Sequence, residues 1–423
     1  MSATDHAVAQ QSAIDDGYIL IAPLGDETAY LINSKKQIVH TWACGGEPGN
    51  ATYLLEDGSL LRTGKVSSQV FDARGGAGGN VRKVAWDGTL LWDYDVADQT
   101  QLAHHDVEPL PNGNVLVIAW EYRSRAEAVA AGRDPDTMSQ AALWPETILE
   151  IKPQGKNGGE VVWKWRLWDH LIQNFDQAKA NYGNVADHPE LIDINYGIRN
   201  GGADWIHMNS VDYNAELDQI ALSARWFNEL WVIDHSTTMQ EAAGHSGGKS
   251  GKGGDVLYRW GNPEAYFGGF PMDRQMFSQH DIRWIDKGVP GEGNLMLFNN
   301  GDRRGGREYS SVDEFAPPLK SDGSYELSKS ASFAPQTFVW SYSDEANFAS
   351  NRISGAQRLP GGNTLICSGD QGWVFEVTPD KKRVWECELS QLNLRGGLFR
   401  APYYAADFPA FADKHLDGAR SPR

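Results

Sequence analysis

The chain has 423 residues, with 38 Lys and Arg against 56 Asp and Glu and a formal net charge of -18. That field disfavours nucleic acid and anionic membrane surfaces as partners. With 41% hydrophobic and 22% charged residues it reads as a soluble globular protein with a large core, and no apolar run reaches the length of a membrane span. Cys44, Cys367 and Cys387 are an odd number without metal-ligand spacing, so no disulfide framework is expected.

Residues 1–16 read as a polar tail lacking the basic start and apolar core of a secretory leader. The expected compartment is the cytoplasm as the sequence stands, or the periplasm if a leader has been removed. From residue 17 a unit recurs: an apolar strand, a tight turn, a second strand, then a third ending in an aromatic residue. The endings are IVHTW (38–42), LLWDY (90–94), VVWKW (161–165), VLYRW (256–260), FVWSY (338–342) and RVWEC (383–387). Six such endings predict an all-β, six-bladed β-propeller over 17–404, followed by a C-terminal tail over 405–423. LLEDGSLL (54–61), PLPNGNVLV (109–117) and RLPGGNTLI (358–366) supply the hairpins, with Asp-Gly or Asn-Gly giving the positive φ such turns require. IVHTW has outer strands before it but no inner strand, and GLFRAPYY (397–404) is expected to provide one, closing the ring. Residues 123–144, 168–202 and 302–332 are expected as insertions over one face. Residues 244–254, rich in Gly, Ser and Lys, are expected as a mobile surface loop.

In a propeller the inner strand of each blade lines the channel. Aligning the hairpins puts Asn50, His105, His207, His280 and Ser354 at one register position, and Lys65, Trp120, Arg225, Asn300 and Gly369 at a second. Strand alternation selects His105 over His104. A single histidine in such a place is more often a satisfied core residue; three in one register, with Asn209 and Arg225 close by, point to chemistry. Asp106 and Asp281 are expected to brace blades, and the terminal Trp residues to be core. Trp120 and Trp226 are candidates for holding an aromatic ring. His170, His188 and His235 are assigned to turns or surface contacts.

DWIHMNSVDYNAELDQIALSAR (204–225), HHDVEPLPNGN (104–114), FSQHDIRWI (277–285) with GEGNLMLFNNG (291–301), and SGAQRLPGGNTLICSG (354–369) resemble the bacterial arylsulfate sulfotransferases, from about Gly17 to Tyr404. The resemblance implies a six-bladed propeller that moves a sulfuryl group from an aryl sulfate to a phenol through a sulfated histidine, without a phosphoadenosine donor or other cofactor. It implies His280 as nucleophile, with His105, His207, Asn209 and Arg225 on the sulfate oxygens. Asn300, Trp120 and Lys65, from the second register position, complete the expected substrate contacts. The expected partner is a small aromatic molecule, with homo-oligomerisation left open; no metal is expected at the site, because Arg225 would repel it. The periplasmic members carry an extra N-terminal β-domain, a secretion signal and a disulfide, none of which is read here. Three other readings remain: a propeller lyase or ether-cleaving enzyme with the histidines as acid and base, a metalloenzyme, and a non-catalytic binding propeller.

Overall fold

The structure is a computed structural model and describes Ile14 and residues 17–71, 75–197, 202–305, 309–327 and 332–416. Six four-stranded antiparallel sheets follow one another around a channel. The second blade is Pro48–Leu54, Leu60–Lys65, Gly79–Val84 and Leu90–Asp95, from the channel outward. The third is Gln101–Pro109, Val115–Glu121, Glu146–Gln154 and Gly158–Arg166. The fourth is Met208–Asn214, Gln219–Ala224, Glu229–Asp234 and Tyr258–Trp260, and the fifth His280–Trp284, Leu295–Asn299, Ser311–Phe315 and Trp340–Ser343. Gly355–Arg358, Thr364–Ser368, Trp373–Val377 and Arg383–Glu388 form the sixth. In the first blade the outer strands Gly17–Ile21, Thr28–Asn33 and Ile38–Ala43 receive their inner strand, Tyr403–Ala405, from the other end of the chain. This pairing removes the free edge an open array would present. Among the described residues no helix is long and apolar enough to cross a membrane.

The aromatic endings lie on the fourth, outermost strand of each blade rather than a third. Their rings fill the spaces between sheets: Trp42 and Trp165 are fully buried, and Trp92, Trp260 and Tyr342 nearly so. The strand missed from sequence is the third, and in the fifth blade it is Ser311–Phe315, inside the stretch expected to be an insertion. The packed region also extends past residue 404. Phe411 is buried against Tyr18 (ring centroids 4.8 Å apart) and Trp86, and Ile14 at the other end is buried too. The glycine-rich loop, expected from composition to be mobile, is hydrogen-bonded to the turn after the third strand of its blade: Ser250 N donates to Asp234 Oδ2 (2.8 Å) and Lys249 N to Ser236 Oγ (2.7 Å).

The blades are joined at the channel by acceptors on one inner strand that take an N–H from the next. Asp106 accepts from Val211 N (3.1 Å), Ser210 from Ile282 N (3.0 Å) and Asp281 from Ala356 N (2.9 Å). Arg400, carried in by the closing segment, sets its guanidinium 2.6 Å from Asp106 and 2.7 Å from Asp281. The two aspartates brace blades, as expected, and the C-terminal segment locks them from the axis.

Candidate functional site

The inner strands do not run as regular β structure where the histidines sit. Their register with the neighbouring strand shifts between Pro48 and Thr52, Ala103 and Val107, Met208 and Val211, and His280 and Arg283. His105 (φ 53), His207 (φ 58) and Asp281 (φ 52) adopt positive φ at these bulges. A bulge re-aims side chains that alternation would send to opposite faces. One expectation therefore fails. His104 does not face away from His105; their Nδ1 atoms are 2.8 Å apart in a hydrogen bond. Gly76 makes room for this pair, since a Cβ there would lie 1.8 Å from His105 Cε1.

Four imidazoles thus gather, all buried. The His105 ring meets His207 edge to face, with centroids 4.5 Å apart, and His207 lies 5.0 Å from the Trp226 ring. His207 donates from Nδ1 to Asp204 Oδ2 at 2.5 Å, leaving Nε2 on the opposite edge of the ring. Glu146 accepts from Met208 N at 3.0 Å, and burial together with the Asp204 charge pushes its carboxyl well above the usual range. Asp204, His104 and Glu146 are parts of the site that residue spacing did not select. Asp204 opens the 204–225 motif, three residues before His207, whereas nothing in sequence ties Glu146 to it.

His280 is the most constrained of the four. Asn300 Nδ2 donates to the carbonyls of Ser350 (2.6 Å) and Ile353 (3.1 Å), so its Oδ1 must face the imidazole. That oxygen is 2.7 Å from His280 Nδ1 and can only accept, which puts the ring proton on Nδ1 and the lone pair on Nε2. Ile353 N–H points to that lone pair from 3.2 Å. Ile353 holds φ 49, a costly conformation for a β-branched residue. Asn209 donates to the carbonyl of Gln279, the residue before His280, at 2.7 Å. Both amides are fully buried and spend N–H donors on backbone oxygens. They hold the nucleophile candidate from two sides; for Asn300 this is a different place from the one the sequence suggested, whereas Asn209 keeps a buried Oδ1 with no hydrogen-bond partner among the described residues.

Arg225 supplies the positive charge of the cluster. Its guanidinium stacks 4.1 Å over Trp226 and reaches Asn351 O at 3.4 Å. Burial first, then Arg225, lowers His280 well below an ordinary histidine. Burial first, then His207, lowers both His104 and His105 in the same way. These three imidazoles are therefore neutral at pH 7, and neutral imidazole is a nucleophile.

Two expected contacts are not made. Trp120 is fully buried and stacks behind His104, centroids 4.0 Å apart, so it backs the cluster and does not line a mouth. Lys65 shares the register position, but its ammonium pairs with Glu47 at 2.9 Å and is half in solvent. Sequence register places a Cα; it does not say where a long, exposed side chain finds its counter-charge. Beside the cluster, Asp204 also lines a cavity of about 740 Å³ with Val70, Gln99, Tyr122, Gln140 and Trp144. Its volume suits a small aromatic molecule.

Solved structures share this architecture. A Bacteroides caccae protein of unknown function superposes with TM-score 0.50 at 13% identity, over 92% of this chain and 98% of that one. The periplasmic gluconolactonase PpgL of Pseudomonas aeruginosa gives 0.42 at 13% identity, over 92% and 99%. Virginiamycin B lyase from Staphylococcus aureus gives 0.39 at 9%, over 88% and 81%. The first likeness is one of fold; the other two are too distant to carry an argument. No protein of curated function matches the sequence. A family model described as Arylsulfotransferase (ASST) matches residues 55–392.

Proposed function

The chain belongs to the arylsulfotransferase family, and from that premise we propose that it transfers a sulfuryl group from an aryl sulfate to a phenol through a sulfohistidine on His280. The observation that carries this reading is the fixed tautomer of His280: Asn300 holds the proton on Nδ1, so Nε2 keeps its lone pair, in a buried ring held neutral beside the Arg225 guanidinium.

In the first half-reaction Nε2 attacks sulfur and the sulfur–aryl oxygen bond breaks. Charge on the non-bridging oxygens is met by Arg225 and by N–H groups of the neighbouring imidazoles. The proton for the departing oxygen comes from His207 Nε2, with Asp204 on Nδ1 of the same ring holding it in place. The acceptor phenol then returns a proton to His207 as its oxygen attacks sulfur and the nitrogen–sulfur bond breaks. His280 ends with the lone pair it began with. The Ile353 N–H now on Nε2 must give way to the donor, and the strain at Ile353 makes it the part of the wall suited to move. Trp226, with Arg225 over its ring and the His207 ring tilted at 5.0 Å, is the one of the two tryptophan candidates that remains for holding an aromatic ring.

The test is brief exposure of the enzyme to an activated aryl sulfate, followed by intact-mass and peptide analysis. One added sulfuryl group on the peptide bearing His280, absent from His280→Asn, is the expected result. An unmodified wild type across a broad donor panel refutes the proposal. Turnover of a sulfur-free aromatic substrate with altered pH profiles in His207 variants would then favour the acid–base lyase, for which the Asp204–His207 pair is equally suited.

A further inference from the structure

Among the described residues, one group outside the channel brings metal-type donors together: His170, His245 and Asp255, whose ligand atoms lie within 4.8 Å of one another. His170 ends the turn Leu167–His170 in the insertion after the third blade. His245 and Asp255 stand at the two ends of the glycine-rich loop of the fourth blade.

Two imidazole nitrogens of this group converge on one carboxylate oxygen. His170 Nε2 is 2.9 Å from the carbonyl oxygen of Ala242, which can only accept, so Nε2 carries a proton. In the neutral ring Nδ1 is then a lone pair, yet it lies 2.9 Å from Asp255 Oδ1. The same oxygen is 2.7 Å from His245 Nδ1. The His170 contact requires a proton or a metal ion between its two electron-rich atoms, whereas His245 Nδ1 can bring its own proton.

We propose that His170 Nδ1, His245 and Asp255 bind a divalent transition-metal ion, zinc foremost. Two imidazoles and one carboxylate are the donor set zinc takes, whereas calcium and magnesium prefer oxygen alone. A ring N–H on a backbone carbonyl is the outer-shell contact that fixes the tautomer of a metal-bound histidine, and His170 has it. The deep side is prebuilt: His170 is fully buried, its ring lies parallel to Trp165 at 5.7 Å, and the Trp165 indole donates to Gly254 O at 2.7 Å. Gly254 is required there, because a Cβ would fall 2.1 Å from Ala242 O and 2.7 Å from His170 Nε2. The outer side is open, with the His245 side chain 61% exposed on the rim of a groove of about 500 Å³ lined also by Trp168, Asp169 and His188. Three protein ligands leave one position for water or for a donor entering from that groove. The ion ties both ends of the 244–254 loop to the insertion, and the proposal is independent of the sulfuryl-transfer reading.

The test uses the full chain treated with a chelator and titrated with zinc alone, with cobalt(II) as the spectroscopic probe. Expected are one equivalent of tightly bound zinc, visible cobalt bands of tetrahedral intensity, and a rise in melting temperature with added zinc. His245→Ala, a change at an exposed position that leaves the fold intact, should weaken zinc by more than the ~10–100-fold that loss of an outer-shell partner alone produces. Asp255→Asn should abolish the cobalt bands. No saturable zinc binding by the wild type, or unchanged affinity in His245→Ala, overturns the proposal. So does a melting temperature that follows pH and ignores zinc, which would mean a proton only.

Discussion

Replacing Asn300 tests the reasoning about His280 most directly. Asn300→Ala removes three buried hydrogen bonds: one to the imidazole and two to the carbonyls of the Ser350–Ile353 segment. At roughly 1 kcal/mol net for each bond, the loss is about 3 kcal/mol. For a chain of this size that is a fall of about 4 °C in melting temperature. The effect on catalysis should be larger, because His280 loses the acceptor that selects its tautomer and the contact that fixes its ring. Misplacement of a reacting group by ~1 Å costs on the order of a hundredfold, and that loss is expected in kcat with KM little changed. Asn300→Asp separates tautomer control from mere support. A carboxylate keeps an acceptor on Nδ1 but favours the imidazolium, so the acid limb of kcat/KM should move to higher pH. The assay is steady-state transfer from an aryl sulfate, with calorimetry alongside. Near wild-type kcat in Asn300→Ala together with an unmoved acid limb in Asn300→Asp would refute the assignment.

In the wild type His280 is held well below the ordinary histidine range, so kcat/KM for the first half-reaction should stay flat as pH falls through ~6.5; an acid limb at or above that value contradicts a neutral, buried nucleophile. Arg400→Met should leave the buried Asp106 without its cation, while Asp281 keeps Arg283 at 2.9 Å, and cost about 3–5 kcal/mol in urea unfolding, and a loss under ~1 kcal/mol would show that the axial lock contributes little. Burial opposes charge on His235, but its bonds to Glu150 (3.1 Å) and Asp218 (2.9 Å) outweigh burial and raise it. The stability it adds is then fully present below ~6.5 and lost as pH rises through its folded value; the wild type should exceed His235→Gln by ~1 kcal/mol at pH 6 and match it at pH 9. Ending the chain at Arg395 removes the inner strand of the first blade, and unfolding should become broad and early; a melt as sharp and late as that of the full chain would show that closure does not carry the fold.

The architecture was written in the repeat. A hairpin turn and an aromatic ending recur because every blade must bury one ring against the next, and local periodicity records that need. The same register places His105, His207 and His280 at the channel. The roles of their partners were not legible. His104 joins the cluster only because a bulge with positive φ breaks the alternation a strand would impose, and Asn209 and Asn300 became positioning residues because their amides meet carbonyls supplied by residues 279, 350 and 353. Trp120 and Lys65 occupy the expected register but not the expected surroundings, since burial behind His104 and a counter-charge at Glu47 are properties of the neighbouring chain. Arg400 lies nearly 300 residues from Asp106 in sequence, and only closure of the ring carries it to the axis. Sequence fixes periodicity, composition and the chemistry available at each register position. Which donor meets which acceptor is decided by contacts between blades distant in the chain, and those exist only once the sheets have packed.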